Sequence, residues 1–552
     1  MIGAPSVPAA AASEHARLRS SWRRELLVAA ALGTALFAVT MVPYLVAYLN
    51  APPGGVFNGF FFLGDDGSTY ISEMRAGANG AWGWIDPYIS RPVGDPVLLF
   101  MLYILAGKLA ALAHIPVFAA FHLLRLSGAV ALVLAARRLA VATLPPGRPR
   151  QLAVILGLLG AGAGYLLALA SMGLHQADVL GQPLAELDLH IPEISGFFSV
   201  MTFPHFAWAA ALMALAVVDL MAVASAQSPR AGLAPALRAT IFIAALVFIH
   251  PQMLVILAVL ATVMLLAFRP APRQWVLVLL PFLLCAPLFL YFLYILTTDP
   301  VVSVFARQWT QGPFPVLPTL FAFGFPLVLA AIAIATRDAR RNPRLLVLAA
   351  WVAMVLALLY LPSPVSIQRR LFDGIFLPIG VLAAVGVEAV ARRGLAAIPA
   401  QRLGNYIVAA CLLTSGLVYA VSVSMSVSRF PGIYINASEA QAMDWLAQRL
   451  GPGTPPAVMS VTGTGLFIPA LAGARVYTGN YSQTIDSASK ADTAATAIRA
   501  GGPGLVGLMR DQGTTYLFIG PEERASGVGS IDLALSLVYD QGGVQIYRLD
   551  GA

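Results

Sequence analysis

Two adjacent acids, Asp65 and Asp66, follow the first long apolar run, within "FFLGDDGSTYISEMRAGANG" (61–80). Adjacent carboxylates disfavour each other's ionisation unless a cation or a donor relieves them. Such a pair suits two chemistries. One carboxylate can act as general base on a hydroxyl, or the two can hold a divalent cation, Mg2+ or Mn2+. The plainer role is an N-cap for the helix predicted over "STYISEMRAG". Glu73 and Arg75, on that amphipathic segment, are candidates to position the base. Further polar candidates are scattered: Arg125, His205, His250, Arg307, Arg369 and Arg370. A guanidinium grips a phosphate bidentately, so arginines gathered on one side of a membrane would suit a phosphate there. Pairing with neighbouring acids or lipid headgroups is the alternative. A lone histidine in a helix more often satisfies a hydrogen bond than binds a ligand.

The elements that must position these residues are membrane helices. The chain has 552 residues, of which 59% are hydrophobic and 11% charged, whereas a soluble chain carries about 25% charged residues. Apolar runs of about 20 residues recur along most of its length, as in a polytopic α-helical membrane protein. The net charge of +8 comes almost wholly from arginine, since only Lys108 and Lys490 are lysine. In such a chain basic residues set orientation, and no nucleic-acid partner is implied. Both cysteines, Cys285 and Cys411, lie in apolar runs, so no disulfide framework or cysteine metal site is expected.

Basic clusters give a threading, because cytoplasmic loops carry excess Arg and Lys. Residues 1–24 form a cytoplasmic tail, and the run 25–49 is too long for a signal peptide, so it stays as helix 1. The Asp65–Asp66 loop (50–116) then lies outside. One crossing must separate it from Arg137 and Arg138, so 117–136 is helix 2 and 97–113 is an interfacial or re-entrant helix. Crossings follow at 151–171 and 196–226. The run 239–268 divides at His250–Pro251 into two. Four more lie at 275–297, 317–336, 345–362 and 373–391, and the last at 404–427. About eleven transmembrane helices result, spanning 25–428 in a cytoplasmic (inner) membrane. Residues 429–552 form an extracytoplasmic α/β domain, with a helix over 437–450 and strands over 457–461, 514–520 and 543–549.

At this point the chain resembles a known group. "DGSTYISEMRAGANGAWGWIDPYISRP" (66–92) has an Asp followed four residues later by Tyr70, then a Met-Arg pair and a Pro-Tyr. In this it resembles membrane glycosyltransferases of the GT-C superfamily, bacterial branch, among them protein O-mannosyltransferase-like and aminoarabinose-transferase-like enzymes. The segment 96–139 fits as well: a juxtamembrane helix precedes helix 2, whose start carries Arg125. The resemblance implies an inverting enzyme that moves a sugar from a polyprenyl-phosphate donor to an acceptor hydroxyl on a protein, glycan or lipid at the outer face. Asp66 would be the base, with Asp65 its helper or a metal ligand. Arg307, Arg369 or Arg370 would hold the lipid phosphate, and Tyr70, Glu73, Arg75, Arg125, His205 and His250 would line the substrates. The common acid pair in this group is Asp-Glu, and the Asp-Asp here leaves the metal open. Two other classes compete. A transporter or flippase of a lipid-linked solute needs acids at mid-membrane and repeat symmetry. An envelope glycan ligase or polymerase outside the GT-C group would share the arginines without needing an acid after helix 1.

Overall fold

The computed structural model describes residues 7–174, 178–179, 182–308, 314–361, 368–393, 399–450 and 455–551. Parts of the expected loops 298–316 and 363–372 therefore lie outside the described residues. Seven described helices are long and apolar enough to cross a bilayer: Arg23–Leu49, Val117–Thr143, Pro204–Ala224, Pro229–Ile249, Pro272–Thr298, Val316–Ala335 and Gln401–Val427. Shorter apolar helices, among them Met253–Phe268 and Pro343–Leu358, pack between them, with Phe376–Arg393 in the centre. The chain is an integral membrane protein with a C-terminal sheet domain.

Two expected crossings are interrupted. The run 151–171 forms Arg148–Leu159 and Tyr165–Leu174, with non-helical backbone at Gly160–Gly164. Unpaired backbone is costly at membrane depth and must be satisfied by protein. Here it is. Ala161 N donates to Cys411 O at 2.9 Å and Ala163 N to Phe321 O at 2.7 Å. Thr414 Oγ1 donates to Gly162 O at 2.7 Å. Glycine is required at 162, because a Cβ there would collide with the Ala322 carbonyl. The run 196–226 likewise breaks at Thr202–Phe203, and Pro204 opens the next helix. The expected division at His250–Pro251 is present, between Pro229–Ile249 and Met253–Phe268.

Met101–Leu112 has 12 residues, about 18 Å of helix and too short to span about 30 Å of hydrocarbon. It crosses the helix Gly64–Ala78 in close contact. A Cβ on Gly77 would strike the Ile104 carbonyl, and one on Gly107 would strike that of Met74.

The C-terminal domain has a five-stranded sheet in the order Arg475–Val476, Ala457–Met459, Thr514–Ile519, Val544–Leu549, Leu535–Gln541. The first three strands run parallel and the last two pair antiparallel. The expected strands at 457, 514 and 543 are in place. Leu535–Gln541 and the two-residue edge were not foreseen. A short antiparallel ladder, Gly55–Phe57 with Tyr434–Asn436, ties the first loop to the start of this domain.

Candidate active site

Asp65 and Asp66 occupy the first turn of Gly64–Ala78 and do not cap it. Helix begins earlier than expected, after Leu63 in a left-handed conformation (φ 52°) with no side-chain cap. Both carboxylates thus lie at the positive end of the helix dipole. They are partly exposed, whereas Gly67–Met74 are all buried. The segment read as amphipathic is covered on both sides, because Thr462–Leu471 of the C-terminal domain packs over the face turned from the bundle.

Burial raises the Asp66 pKa, the Arg369 and Arg370 guanidiniums lower it, and Glu193 and Asp65 raise it. Burial also raises that of Asp65. Arg369 and Arg370 stand on the turn Gln368–Phe372. They converge on one carboxylate, Glu193, which is fully buried. Arg369 donates from Nε at 3.0 Å and Nη2 at 3.4 Å, and Arg370 from Nη1 at 3.0 Å. Burial would lower both arginine pKa values, but nearby negative charge, including Glu193 and Asp66, raises them on balance. Two cations on one buried anion leave one positive charge to face Asp66 or a second anion.

An aromatic and histidine wall adjoins this cluster. Tyr70 stacks on Tyr103, with centroids 4.5 Å apart and planes at 11°. Tyr103 Oη shares a 2.6 Å hydrogen bond with His205 Nδ1. His205 meets His250 edge-on at 5.4 Å. His250 Nδ1 lies 2.5 Å from Asp373 Oδ2. Asp66, Tyr70, His205, His250, Arg369 and Arg370, spread over three hundred positions of sequence, are thereby brought to one place.

The remaining candidates take partners elsewhere. Glu73 is buried and accepts from Trp84 Nε1 at 2.9 Å. Burial holds its pKa well above the carboxylate range. Arg75 Nε donates to the Ala470 carbonyl at 2.7 Å, joining the acidic helix to the C-terminal domain. Arg125 is buried, bonded to Val200 O, Thr40 and His122, with its guanidinium 4.3 Å from the Tyr44 ring centre. Arg307 is exposed and bonds to Ser303 on its own helix. Among the described residues no group of three or more His, Cys, Asp or Glu is set to hold a metal ion.

Sequence reasoning did not single out Glu193, Tyr103 or Asp373 as site residues, nor Asn480 of the C-terminal domain. Asn480 is buried, and its Nδ2 donates to Asp65 O and to Thr69 Oγ1, each at 3.1 Å. The polar run "YTGNYSQT" (477–484), which follows the apolar stretch 465–474, was the available signal.

The sequence matches no protein-family profile and no curated protein. Solved structures do match. The mycobacterial arabinofuranosyltransferase AftD superposes with a TM-score of 0.53 at 15% identity, covering 96% of this chain and 40% of AftD. ArnT from Cupriavidus metallidurans superposes at 0.52 and 12% identity, covering 93% of this chain and 97% of ArnT. A second ArnT structure, bound to undecaprenyl phosphate, superposes at 0.51 and 13% identity, covering 93% and 97%. The chain thus spans well under half of AftD and nearly all of ArnT. At these identities the likeness is one of fold: the chain shares the fold of AftD and of ArnT.

Proposed function

We propose that the protein is an inverting glycosyltransferase that moves a sugar from a polyprenyl-phosphate donor to an acceptor hydroxyl at the outer face of the membrane. The observation that carries this reading is the placement of Asp66. It is a partly exposed carboxylate in the first turn of its helix, facing two guanidiniums that share one buried acid. In the proposed step, the acceptor O–H bond breaks and its proton passes to the Asp66 carboxylate. The freed oxygen bonds to the anomeric carbon as the bond from that carbon to the phosphate oxygen breaks. One displacement inverts the configuration. The electron pair leaves on the polyprenyl phosphate, and Arg369 and Arg370 stabilise that charge. The undecaprenyl phosphate bound by ArnT, a protein of the same fold, supports the donor class. The threading by basic residues supports an inner-membrane location with the C-terminal domain outside.

Where a divalent cation takes part, Asp65 and Asp66 are the residues to hold it, with the donor phosphate and water completing its shell. The test is Asp66→Asn in reconstituted vesicles with a polyprenyl-phosphate sugar. Transfer should be abolished while donor binding persists. Transfer at the wild-type rate would remove Asp66 as the base, and with it this reading.

A further inference from the structure

The C-terminal domain places one loop directly beside the acids. Residues 479–486 are fastened at two points. Asn480 grips the first turn of the acidic helix through Asp65 O and Thr69 Oγ1. Gln308, at the end of Val302–Gln308, donates to Thr484 O at 2.8 Å and to Tyr481 O at 3.4 Å, and accepts from Asp486 N at 3.2 Å. The loop is also braced internally. Asn480 Oδ1 accepts from Ser482 N and Ser482 Oγ, and Thr484 Oγ1 accepts from Gly479 N. A loop held this firmly presents its side chains in fixed positions.

Two of those side chains are unusual. Tyr481 is 52% exposed although Asn480, Gln483 and Thr484 around it are buried. The charges of Asp66, Asp65 and Arg369 act on its hydroxyl, and its neighbour Asn480 is bonded to the Asp65 carbonyl. Gln483 is buried, and its Oε1 has no hydrogen-bond partner among the described residues. Buried polar atoms are ordinarily paired, so this oxygen is an acceptor for a donor that arrives with a ligand.

Resting on the function proposed above, we infer that the Tyr481 loop is the acceptor subsite and that the acceptor is a neutral saccharide. A sugar ring has an apolar C–H face for an aromatic plane and several hydroxyls. The hydroxyls match the two carboxylates and the Gln483 amide oxygen, which all accept. An anionic lipid headgroup would meet the repulsion of Asp65 and Asp66 and bring few donors. A peptide serine or threonine brings one hydroxyl and no ring face. The C-terminal domain is thereby a working wall of the site, and it sets which hydroxyl reaches Asp66.

Binding tests this without depending on turnover. Purified full-length protein in detergent is probed by saturation-transfer NMR with methyl glycosides of arabinose, mannose, galactose and glucose. Parallel samples hold a serine/threonine peptide or a short-chain phosphatidylglycerol. At least one glycoside should bind the wild type, and Tyr481→Ala should weaken it roughly five- to tenfold. Tyr481→Phe should bind as the wild type does, since the ring is kept. Equal thermal midpoints for the three proteins show that the half-exposed position is not a folding site. Glycoside binding that is absent in the wild type or unchanged in Tyr481→Ala overturns the inference, as does binding of the peptide or the lipid in place of sugar. The parent reading is judged separately: if Asp66→Asn transfers sugar normally it falls, whatever Tyr481→Ala does to glycoside binding.

Discussion

Asp66 and Glu73 are carboxylates on the same face of one helix, about two turns apart, and their surroundings give them opposite characters. Asp66 is partly exposed and lies in the field of two guanidiniums. Glu73 is buried behind Trp84 with no cation paired to it among the described residues, and burial raises its pKa. The proposed role of the first is to accept a proton from a substrate, whereas the second accepts a hydrogen bond from an indole. The carboxyl group and the helix face are shared, so what separates the proposed base from a buttress is the company each keeps.

The largest expected effect is on the pair itself. Asp66→Asn should lower kcat by at least about 10²-fold, within the range for loss of a positioned base. Glu73→Gln should leave kcat within about twofold, because a carboxamide oxygen can take the same Trp84 bond. Comparable losses in both variants would dissolve the distinction. Next comes the cationic side. Arg369→Gln with Arg370→Gln should raise the donor KM roughly tenfold or more, and adding Glu193→Gln should restore folding lost to an unpaired buried acid but not donor affinity. An unchanged donor KM would return both arginines to a structural role with Glu193.

Smaller shifts should appear in pH profiles. A base at Asp66 works only when ionised, and burial raises its pKa, so on the proposed function the acid limb of kcat/KM should lie above the ordinary carboxylate value of about 4. The guanidiniums oppose that rise. Neutralising Arg369 should therefore move the limb further up, and a downward move would contradict the assignment. Glu73 acts on stability instead. Its folded pKa is raised, so its contribution is full below about 4.3, its unfolded value, and is lost as pH rises towards the folded value. Glu73→Gln should flatten that dependence in thermal melts. The smallest effect is expected from Trp84→Phe, about 1 kcal/mol of stability for one hydrogen bond, with activity retained.

Local features were readable in advance. The acids, the short helix at 97–113, the break at His250–Pro251 and three strands each carry a signal within a few residues. The breaks at Gly160–Gly164 and Thr202–Phe203 also left marks, in "GAGAG" and "TFP", but strong hydropathy on both sides concealed them. The site was only half legible. Nothing near Glu193 announces that it binds arginines 176 and 177 positions away. Nor does the run around Asn480 announce a partner 415 positions earlier. Tyr103 looks like one more apolar residue until its hydroxyl meets His205. Such partners are assigned by packing, which one-dimensional periodicity does not encode.

The interrupted helix at Gly160–Gly164 has a bearing on biosynthesis. Its carbonyl at Gly162 is satisfied by Thr414, 252 residues later in the chain. At about 5–20 residues per second, the ribosome delivers that partner on the order of ten to fifty seconds afterwards. During that interval the glycine segment has no final home in lipid, and the insertion machinery or water must shelter it. The helix that carries Thr414 therefore acts as a keystone in time as well as space: this contact closes only after about three quarters of the 552 residues have been made.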